Sequence, residues 1–126
     1  MSLKLQSHTE HAIWILLHLH EHKGGRQTVA EIAEAIGIPP PQVSRTVVRL
    51  RRAKMVYAQH GQYGGYYLNR PLHLISLYDV VCAVGEEPQI RASLQPAFPE
   101  KAHGILGELQ DDIVAILSET AITEFV

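Results

Sequence analysis

One short stretch of the sequence carries side chains suited to contact phosphates or the edges of bases. Its members combine an amide, a hydroxyl and three guanidinium groups, and they are Gln42, Ser44, Arg45, Arg49 and Arg52. A guanidinium group donates two parallel hydrogen bonds to phosphate or guanine, and an amide pairs with adenine in a similar way. These residue types therefore predict a surface that contacts a nucleic acid.

The charges of the chain are unevenly distributed. Residues 35–78 hold six of the eleven Lys and Arg residues and no acid, a charge of +6. The remaining residues include five basic and thirteen acidic ones, a charge of −8, so the net charge is −2. A basic block in an acidic chain is typical of a surface that neutralises phosphates. Taken alone, the block is also explained by a solvated basic face.

Four of the eight histidines lie along one side of the first predicted helix: His8, His11, His18 and His22. On a helix they occupy an arc of about 80°. His18 and His22 lie one turn apart and are candidate ligands for a zinc, copper or nickel ion. A tight site needs a third ligand, from His103 or a second subunit. Ordinary surface histidines and a pH-sensitive subunit contact are the alternatives.

Cys82 is the only cysteine of the chain, which excludes an internal disulfide and a metal site built from several cysteines. We interpret it as a small buried hydrophobic residue, with redox sensing as the alternative if the thiol is exposed and partly ionised. No set of residues indicates catalysis, because Ser44 lacks histidine and carboxylate partners on its surface. The sequence therefore predicts a binding protein and not an enzyme.

The length of 126 residues suits one globular domain with an added dimerisation helix. Apolar residues make up 46% and charged residues 19%, a balance unlike that of a disordered chain. No stretch approaches the roughly 18 consecutive apolar residues of a membrane span, and the start lacks a signal-peptide pattern. We expect a cytoplasmic protein without a membrane partner.

Three predicted helices position the polar stretch, over about residues 8–22, 29–36 and 40–53. Thr28 and Glu31 form a capping box that begins the second, and three prolines at positions 39–41 begin the third. In the third helix Val43, Val47 and Leu50 share one face, so the polar stretch lies on the other. The pattern predicts a helix-turn-helix whose second helix enters a major groove.

A hairpin is predicted to follow this third helix. Its strand-like runs are residues 55–58 and 66–68. Gly64 and Gly65 lie in the loop between them, which we interpret as a wing that approaches a DNA groove closely. Tyr63 is a candidate contact to the sugar-phosphate backbone, and Tyr67 is expected to pack inward.

The last part of the chain reads as a fourth helix over about residues 77–84, an irregular loop, and a final helix over about residues 99–124. The apolar stripe of the final helix comprises Ile105, Leu109, Ile113 and Ile116. Such a stripe needs a partner, either the first helix or the same helix of a second subunit. We divide the chain into a DNA-binding domain, residues 1–85, and a loop with a dimerisation helix, residues 86–126.

Several segments, taken in order, resemble the Rrf2 family of bacterial regulators. They are residues 4–12 (KLQSHTEHA), 29–33 (VAEIA), 48–53 (VRLRRA), 64–71 (GGYYLNRP) and 75–84 (ISLYDVVCAV). The resemblance implies a homodimer joined through the C-terminal helix. It also implies two recognition helices in successive major grooves and two wings in the flanking minor grooves.

The sequence departs from this family at positions that matter for cofactors. Cluster-binding members have three cysteines in the loop that corresponds to residues 88–101, and this sequence has none there, so we expect no iron–sulfur cluster. Glu10 matches a position at which some relatives supply a carboxylate ligand, and we interpret it as a surface residue. Lys54 replaces a glycine that often precedes the first wing strand.

The fold class predicted is mainly α with a small β-hairpin wing, a winged helix-turn-helix with a C-terminal dimerisation helix. The function predicted is a sequence-specific DNA-binding regulator, a repressor that acts as a homodimer on an inverted-repeat operator. The alternatives are a winged-helix protein-interaction module without DNA binding, a metal- or thiol-responsive sensor of the same fold, and a regulator that acts only by contacting another regulator.

Overall fold

The structure, a computed structural model, describes residues 6–23, 25–62, 64–88 and 95–126. Its first three helices are α1 (Ser7–Glu21), α2 (Val29–Ile36) and α3 (Pro40–Arg52). The ends of each helix lie within one residue of the prediction. The Thr28 hydroxyl accepts a hydrogen bond from the Glu31 backbone N–H at 3.1 Å, as expected of an N-cap.

The turn between α2 and α3 depends on Gly37. Its φ of 71° lies in the left-handed region, which glycine enters without a steric penalty. Pro40 and Pro41 occupy the first turn of α3, where a proline removes no helical hydrogen bond. The turn is therefore short, and it holds α3 across α1 and α2.

The hairpin consists of β1 (Val56–Gln59) and β2 (Gly65–Leu68), which pair antiparallel with Val56 opposite Leu68. The backbone of Gln27 forms an isolated bridge to Tyr66, so the chain before α2 is tied to the second wing strand. Lys54 precedes β1 with a φ of 62°. This value lies in the left-handed region, which a glycine enters without a steric penalty.

A short 3-10 helix (Leu72–Leu74) leads to α4 (Leu77–Ala83). Ser76 and Asp79 form a capping box at the start of α4, each side chain accepting from the other's backbone N–H at 3.0 Å. The predicted irregular loop falls partly on residues 89–94, outside the described residues.

The final helix, α5 (Glu100–Glu119), is shorter than predicted and is followed by a 3-10 helix (Ile122–Phe125). The helix ends because the next residues pair elsewhere. The Leu77 N–H donates to the Thr120 carbonyl at 2.7 Å, and the Ile122 N–H donates to the Ile75 carbonyl at 2.9 Å. The expected continuation to residue 124 is therefore wrong.

The core joins one side of each of the first three helices with the base of the wing and α4. Its fully buried aliphatic residues include Ile15, Leu16, Ile32, Val47 and Val80. Ile122, from the C-terminal segment, is also fully buried in this cluster. The division of the chain into two parts at residue 85 remains a prediction. Within the described residues, no helix is long and apolar enough to cross a membrane.

Candidate nucleic-acid interface

The two sides of α3 differ as the sequence predicts. Val43, Val47 and Leu50 are fully buried against the other helices. The opposite side carries four exposed members of the polar stretch, and they are Gln42, Ser44, Arg45 and Arg52. The packing of one side therefore fixes the direction in which the polar side faces, which a recognition helix requires.

Arg49, the fifth member of the polar stretch, lies differently. It is partly buried, and its Nη1 donates a hydrogen bond to the Val84 carbonyl at 3.0 Å, just beyond the end of α4. The expectation that Arg49 lies on the outer surface with Arg45 is wrong to this extent. The carbonyls at the end of a helix carry partial negative charge and attract a cation, so the end of α4 draws the guanidinium toward it.

The basic residues of α3 and its C-terminal turn keep their charge available. Among the described residues, no carboxylate forms a salt bridge with any of Arg45, Arg49, Arg51, Arg52 or Lys54. Arg70 is the member of the basic block that does pair, with Asp79 at 3.6 Å. Unpaired surface cations can release counterions when a polyanion binds.

A cleft of about 340 Å³ lies between the start of α1 and the exposed side of α3. Its lining residues are Ser7, His8, His11, Gln42, Arg45, Thr46 and Arg49. None of these described residues is acidic, and the cleft is bordered by the N-terminus of α1, which carries partial positive charge. From the sequence we interpret the histidines of α1 as metal ligands, ordinary surface residues or a pH-sensitive subunit contact, and not as part of a surface shared with α3. Their position on the polar side of the first helix was the signal that α1 contributes to this surface.

The wing loop depends on a close backbone approach at Gly64. A Cβ atom added there would lie 2.4 Å from the Gln59 carbonyl oxygen and 2.9 Å from that of Gly61. Gly65 opens β2 opposite Gln59. Tyr63, the proposed backbone contact, lies outside the described residues.

The tyrosines of the hairpin are arranged differently from the prediction. Tyr66 packs against the core, whereas Tyr67 stacks on the exposed Tyr57 with ring centroids 5.1 Å apart. The expectation that Tyr67 packs inward is therefore wrong. The bridge between Gln27 and Tyr66 sets which face of the hairpin meets the core, and residues alternate between faces along a strand.

Cys82 is exposed on α4, so its interpretation as a buried residue is wrong. Desolvation nevertheless raises the pKa of the thiol, and the charges of Glu87 and Asp79 add to this effect. A hydrogen bond from Tyr78 acts in the opposite direction and lowers the pKa. The raised pKa disfavours the thiolate that redox sensing requires.

His18 and His22 lie at the C-terminal end of α1, where their ring centroids are 4.3 Å apart. His18 is buried and His22 is exposed. They are on the side of α1 that faces the base of the wing, and they are separate from the cleft at its start.

A second surface is the predicted apolar stripe of α5. Ile105, Leu109, Ile113 and Ile116 are 52%, 47%, 38% and 63% exposed. Trp14 and Phe125, 45% and 44% exposed, border an apolar cleft with Glu10 at its edge. Trp14 thus lies outside the core, and Glu10 is a surface residue as expected.

This chain combines a helix-turn-helix, a glycine-dependent wing and a basic face on the second helix of the motif. These features place it in the winged helix-turn-helix class. The sequence profile of the Rrf2 family, described as an iron-dependent transcriptional regulator, matches residues 5–126, and the chain belongs to this family. A protein of Synechocystis sp. named as an HTH-type transcriptional regulator is 34% identical over 99 residues, 78% of this chain. The family and these relatives are transcriptional regulators and not enzymes.

Solved structures of other proteins share the fold of this chain. CymR, described as the global cysteine regulator of B. subtilis, aligns with a TM-score of 0.78 at 20% identity over 98% of this chain and 96% of its own. IscR of T. potens aligns with a TM-score of 0.75 at 23% identity over 99% and 87%. The chain spans 63% and 54% of the length of two curated relatives that it matches.

The description of the family names iron. The side chains of this protein can therefore be compared with the ligands that an iron–sulfur cluster requires. Iron–sulfur clusters are held by several cysteine thiolates, whereas Cys82 is the only cysteine here. Its neighbours within the described residues are Tyr78 and the carboxylates of Asp79 and Glu87, which supply no second thiolate. The residues present do not fit such a cluster.

Proposed function

We propose that this protein is a sequence-specific DNA-binding transcriptional repressor that acts as a homodimer on an inverted-repeat operator. The observation that carries the proposal is the exposed side of α3, where Gln42, Ser44, Arg45 and Arg52 face away from the core and no acid pairs with the arginines among the described residues. Arg45 and Gln42 are assigned to base edges, and Arg52 to a phosphate.

The cleft between α1 and α3 extends this surface. Arg45 lies on the exposed side of α3 and also lines the cleft. The N-terminus of α1 borders the same cleft. A phosphate located there is attracted by the partial positive charge of the helix N-terminus and accepts hydrogen bonds from the Arg45 guanidinium. We therefore assign the start of α1 to the DNA backbone, next to the groove that α3 enters, while Gly64 and Gly65 shape the wing for the adjacent groove.

The homodimer is supported by the stripe of α5. Four large aliphatic side chains between 38% and 63% exposed on one helix face are costly to leave in water, and an isologous contact with a second copy covers both stripes at once. Two recognition helices related by twofold symmetry read an inverted repeat. Repression needs only occupancy of the operator. Because the ligand is chromosomal DNA, the proposal places the protein in the bacterial cytoplasm.

The test is a gel-shift titration with the DNA upstream of the protein's own gene, repeated at rising salt. Arg45→Ala is expected to weaken binding by about 1–3 kcal/mol, chiefly to the cognate sequence. Arg52→Ala is expected to weaken binding to all sequences and to lower the salt slope by about 1.

Lys101→Ala, which removes a cation from α5 and not from α3, is the matched control and leaves both quantities unchanged. Transcription in vitro from the same DNA falls as the operator is occupied. Binding that is unaffected by both arginine variants would contradict the assigned surface. An absence of salt-dependent binding would favour the protein-interaction module.

A further inference from the structure

The C-terminal end of α1 brings together three potential metal ligands. His18, Glu21 and His22 each offer one ligand atom, and these atoms lie within 4.8 Å of one another. Their i, i+3, i+4 spacing places them on one face of the helix. The sequence had identified only the two histidines, and Glu21 supplies the third ligand that was sought from His103 or a second subunit.

The hydrogen bonds of His18 fix the nitrogen that carries its proton. The Gln27 amide nitrogen donates to the Arg26 carbonyl at 3.0 Å, so the Gln27 side-chain oxygen faces the imidazole. That oxygen only accepts, and it lies 2.8 Å from His18 Nε2. Nε2 must therefore be the protonated donor of a neutral His18 ring, and Nδ1 keeps its lone pair.

His22 is fixed in the complementary way. Its Nδ1 lies 2.9 Å from the backbone carbonyl of His18, and because a carbonyl accepts only, Nδ1 donates and Nε2 keeps the lone pair in the neutral ring. In metal sites, a ligating imidazole almost always donates its other N–H to a carbonyl, amide or carboxylate oxygen. Both rings already have such a partner before any ion binds.

The electrostatics of this helix end also favour a cation. α1 ends at Glu21, so the ligands lie where the helix carries partial negative charge. Glu21 adds a full negative charge, which offsets that of the exposed Lys23 next to His22, and the nearby Arg26 is paired with Glu31 at 3.4 Å. Two imidazoles and a carboxylate form a donor set for borderline divalent ions such as zinc, with the remaining positions left to water.

The outer shell of these ligands leads directly to the wing. Gln27, which orients His18, exchanges two backbone hydrogen bonds with Tyr66 of β2, at 2.8 and 3.2 Å. An ion that holds His18 in place therefore also restrains the connection between α1 and the hairpin. We propose that His18, Glu21 and His22 bind a divalent transition-metal ion and that its occupancy changes the affinity of the wing for DNA. The second part rests on the proposed function.

The metal site is tested by calorimetric titration of Zn²⁺ into metal-free protein prepared without a polyhistidine tag. Zn²⁺ is the probe because it binds such ligands more tightly than Fe²⁺ and has no redox chemistry. Glu21→Gln and His22→Gln are each expected to weaken binding at least about tenfold. Gln27→Ala should weaken it by about 10–100-fold through loss of the outer-shell contact.

Glu34→Gln and His60→Gln remove exposed side chains of the same types elsewhere and are expected to leave Zn²⁺ binding unchanged. Because both ligand variants alter exposed residues, they should melt within a few degrees of the wild type. Equal affinity in the wild type and in a Glu21→Gln, His22→Gln double variant would overturn the site.

The coupling is tested by gel shift at fixed salt, with and without Zn²⁺. Zn²⁺ is expected to shift the DNA affinity of the wild type severalfold and to have no effect on the double variant, which still binds DNA without metal. Unchanged wild-type affinity when Zn²⁺ is bound would overturn the coupling. A protein that binds Zn²⁺ but no DNA would instead contradict the proposed function and leave the metal site supported.

Discussion

The helices α3 and α5 are both amphipathic, yet they expose opposite sides. α3 buries its apolar side against α1 and α2 and exposes polar groups, whereas α5 exposes its aliphatic stripe and has only Gly107 fully buried among its described residues. Their charges also differ. α3 has four arginines and no acid, a charge of +4, while α5 has five acids and one lysine, a charge of −4.

Under the proposed function, the difference means that the surface of α3 is complete in a single chain, whereas the stripe of α5 requires a second copy. Water solvates the polar side of α3 until a ligand replaces it, so α3 folds without a partner. The stripe of α5 keeps apolar area in water at roughly 25 cal/mol per Å², a cost that a second copy removes. The negative charge of α5 is also repelled by phosphates, so in the proposed complex we expect α5 to face away from the duplex that α3 contacts.

The largest expected effect comes from placing a charge in the stripe. Leu109→Asp is expected to convert the dimer into a monomer, because two carboxylates would meet in the contact. With one recognition helix per molecule, affinity for the full operator should fall by about 100-fold or more, since linked sites gain about 10²–10⁴-fold. Sedimentation and gel shift measure the two effects.

Ala115→Asp is the matched control, because it adds the same carboxylate to an exposed position of α5 outside the stripe. It should leave the dimer and operator binding intact. A Leu109→Asp protein that remains dimeric would show that α5 is not the contact, and the contrast between the two helices would lose its explanation.

A smaller effect is expected in the wing. Gly64→Ala should destabilise the hairpin by about 1–3 kcal/mol, because the new methyl group would lie 2.4 Å from the Gln59 carbonyl oxygen and the backbone would have to move. Hydrogen exchange of β1 and β2 amides measures the local effect. Gly104→Ala, in open space on α5, is the control and should not destabilise the protein. Wing amides that remain protected in Gly64→Ala would contradict the prediction.

Arg49 and Arg45 provide a comparison within α3. Arg49→Ala is expected to lower the free energy of unfolding by about 1–2 kcal/mol, because it removes the charged donor that binds the Val84 carbonyl. Arg45→Ala, which removes an exposed side chain, should change it by less than about 0.5 kcal/mol. Urea denaturation measures both. Equal stability losses would show that the two arginines do not differ in structural role.

Most of the fold was predictable because its signals are local. Thr28 and Ser76 cap helices through bonds to residues three positions ahead, and the apolar spacing of α3 identifies its buried side. The end of α5 was not predictable. It depends on Thr120 and Ile122 pairing with residues more than forty positions earlier, which a local pattern does not contain.

The candidate site divides in the same way. The exposure of Arg45 follows from helical periodicity, whereas the turn of Arg49 toward Val84 depends on how α4 packs across α3. The exposure of Cys82 likewise depends on which side of the short helix α4 meets the core. Glu21 could have been identified with His18 and His22 from the sequence, because its i+3 spacing is a local signal.

The smallest expected effect concerns Cys82, whose thiol is exposed and is nevertheless expected to react slowly. Desolvation raises the pKa of its thiol, so at pH 8 a smaller fraction is thiolate than in a free cysteine, and alkylation by iodoacetamide should be slower than that of a free cysteine. The rate should rise with pH through a midpoint above the ordinary value.

Two variants separate the causes of this raised pKa. Glu87→Gln should speed alkylation by removing a negative charge, and Tyr78→Phe should slow it by removing the hydrogen bond that lowers the pKa, while Glu34→Gln on α2 serves as the control. A midpoint below the ordinary value would instead indicate a stabilised thiolate. In that case α4 would carry a thiol suited to sensing oxidants. The functional surfaces of the protein would then include α4 as well as the basic side of α3.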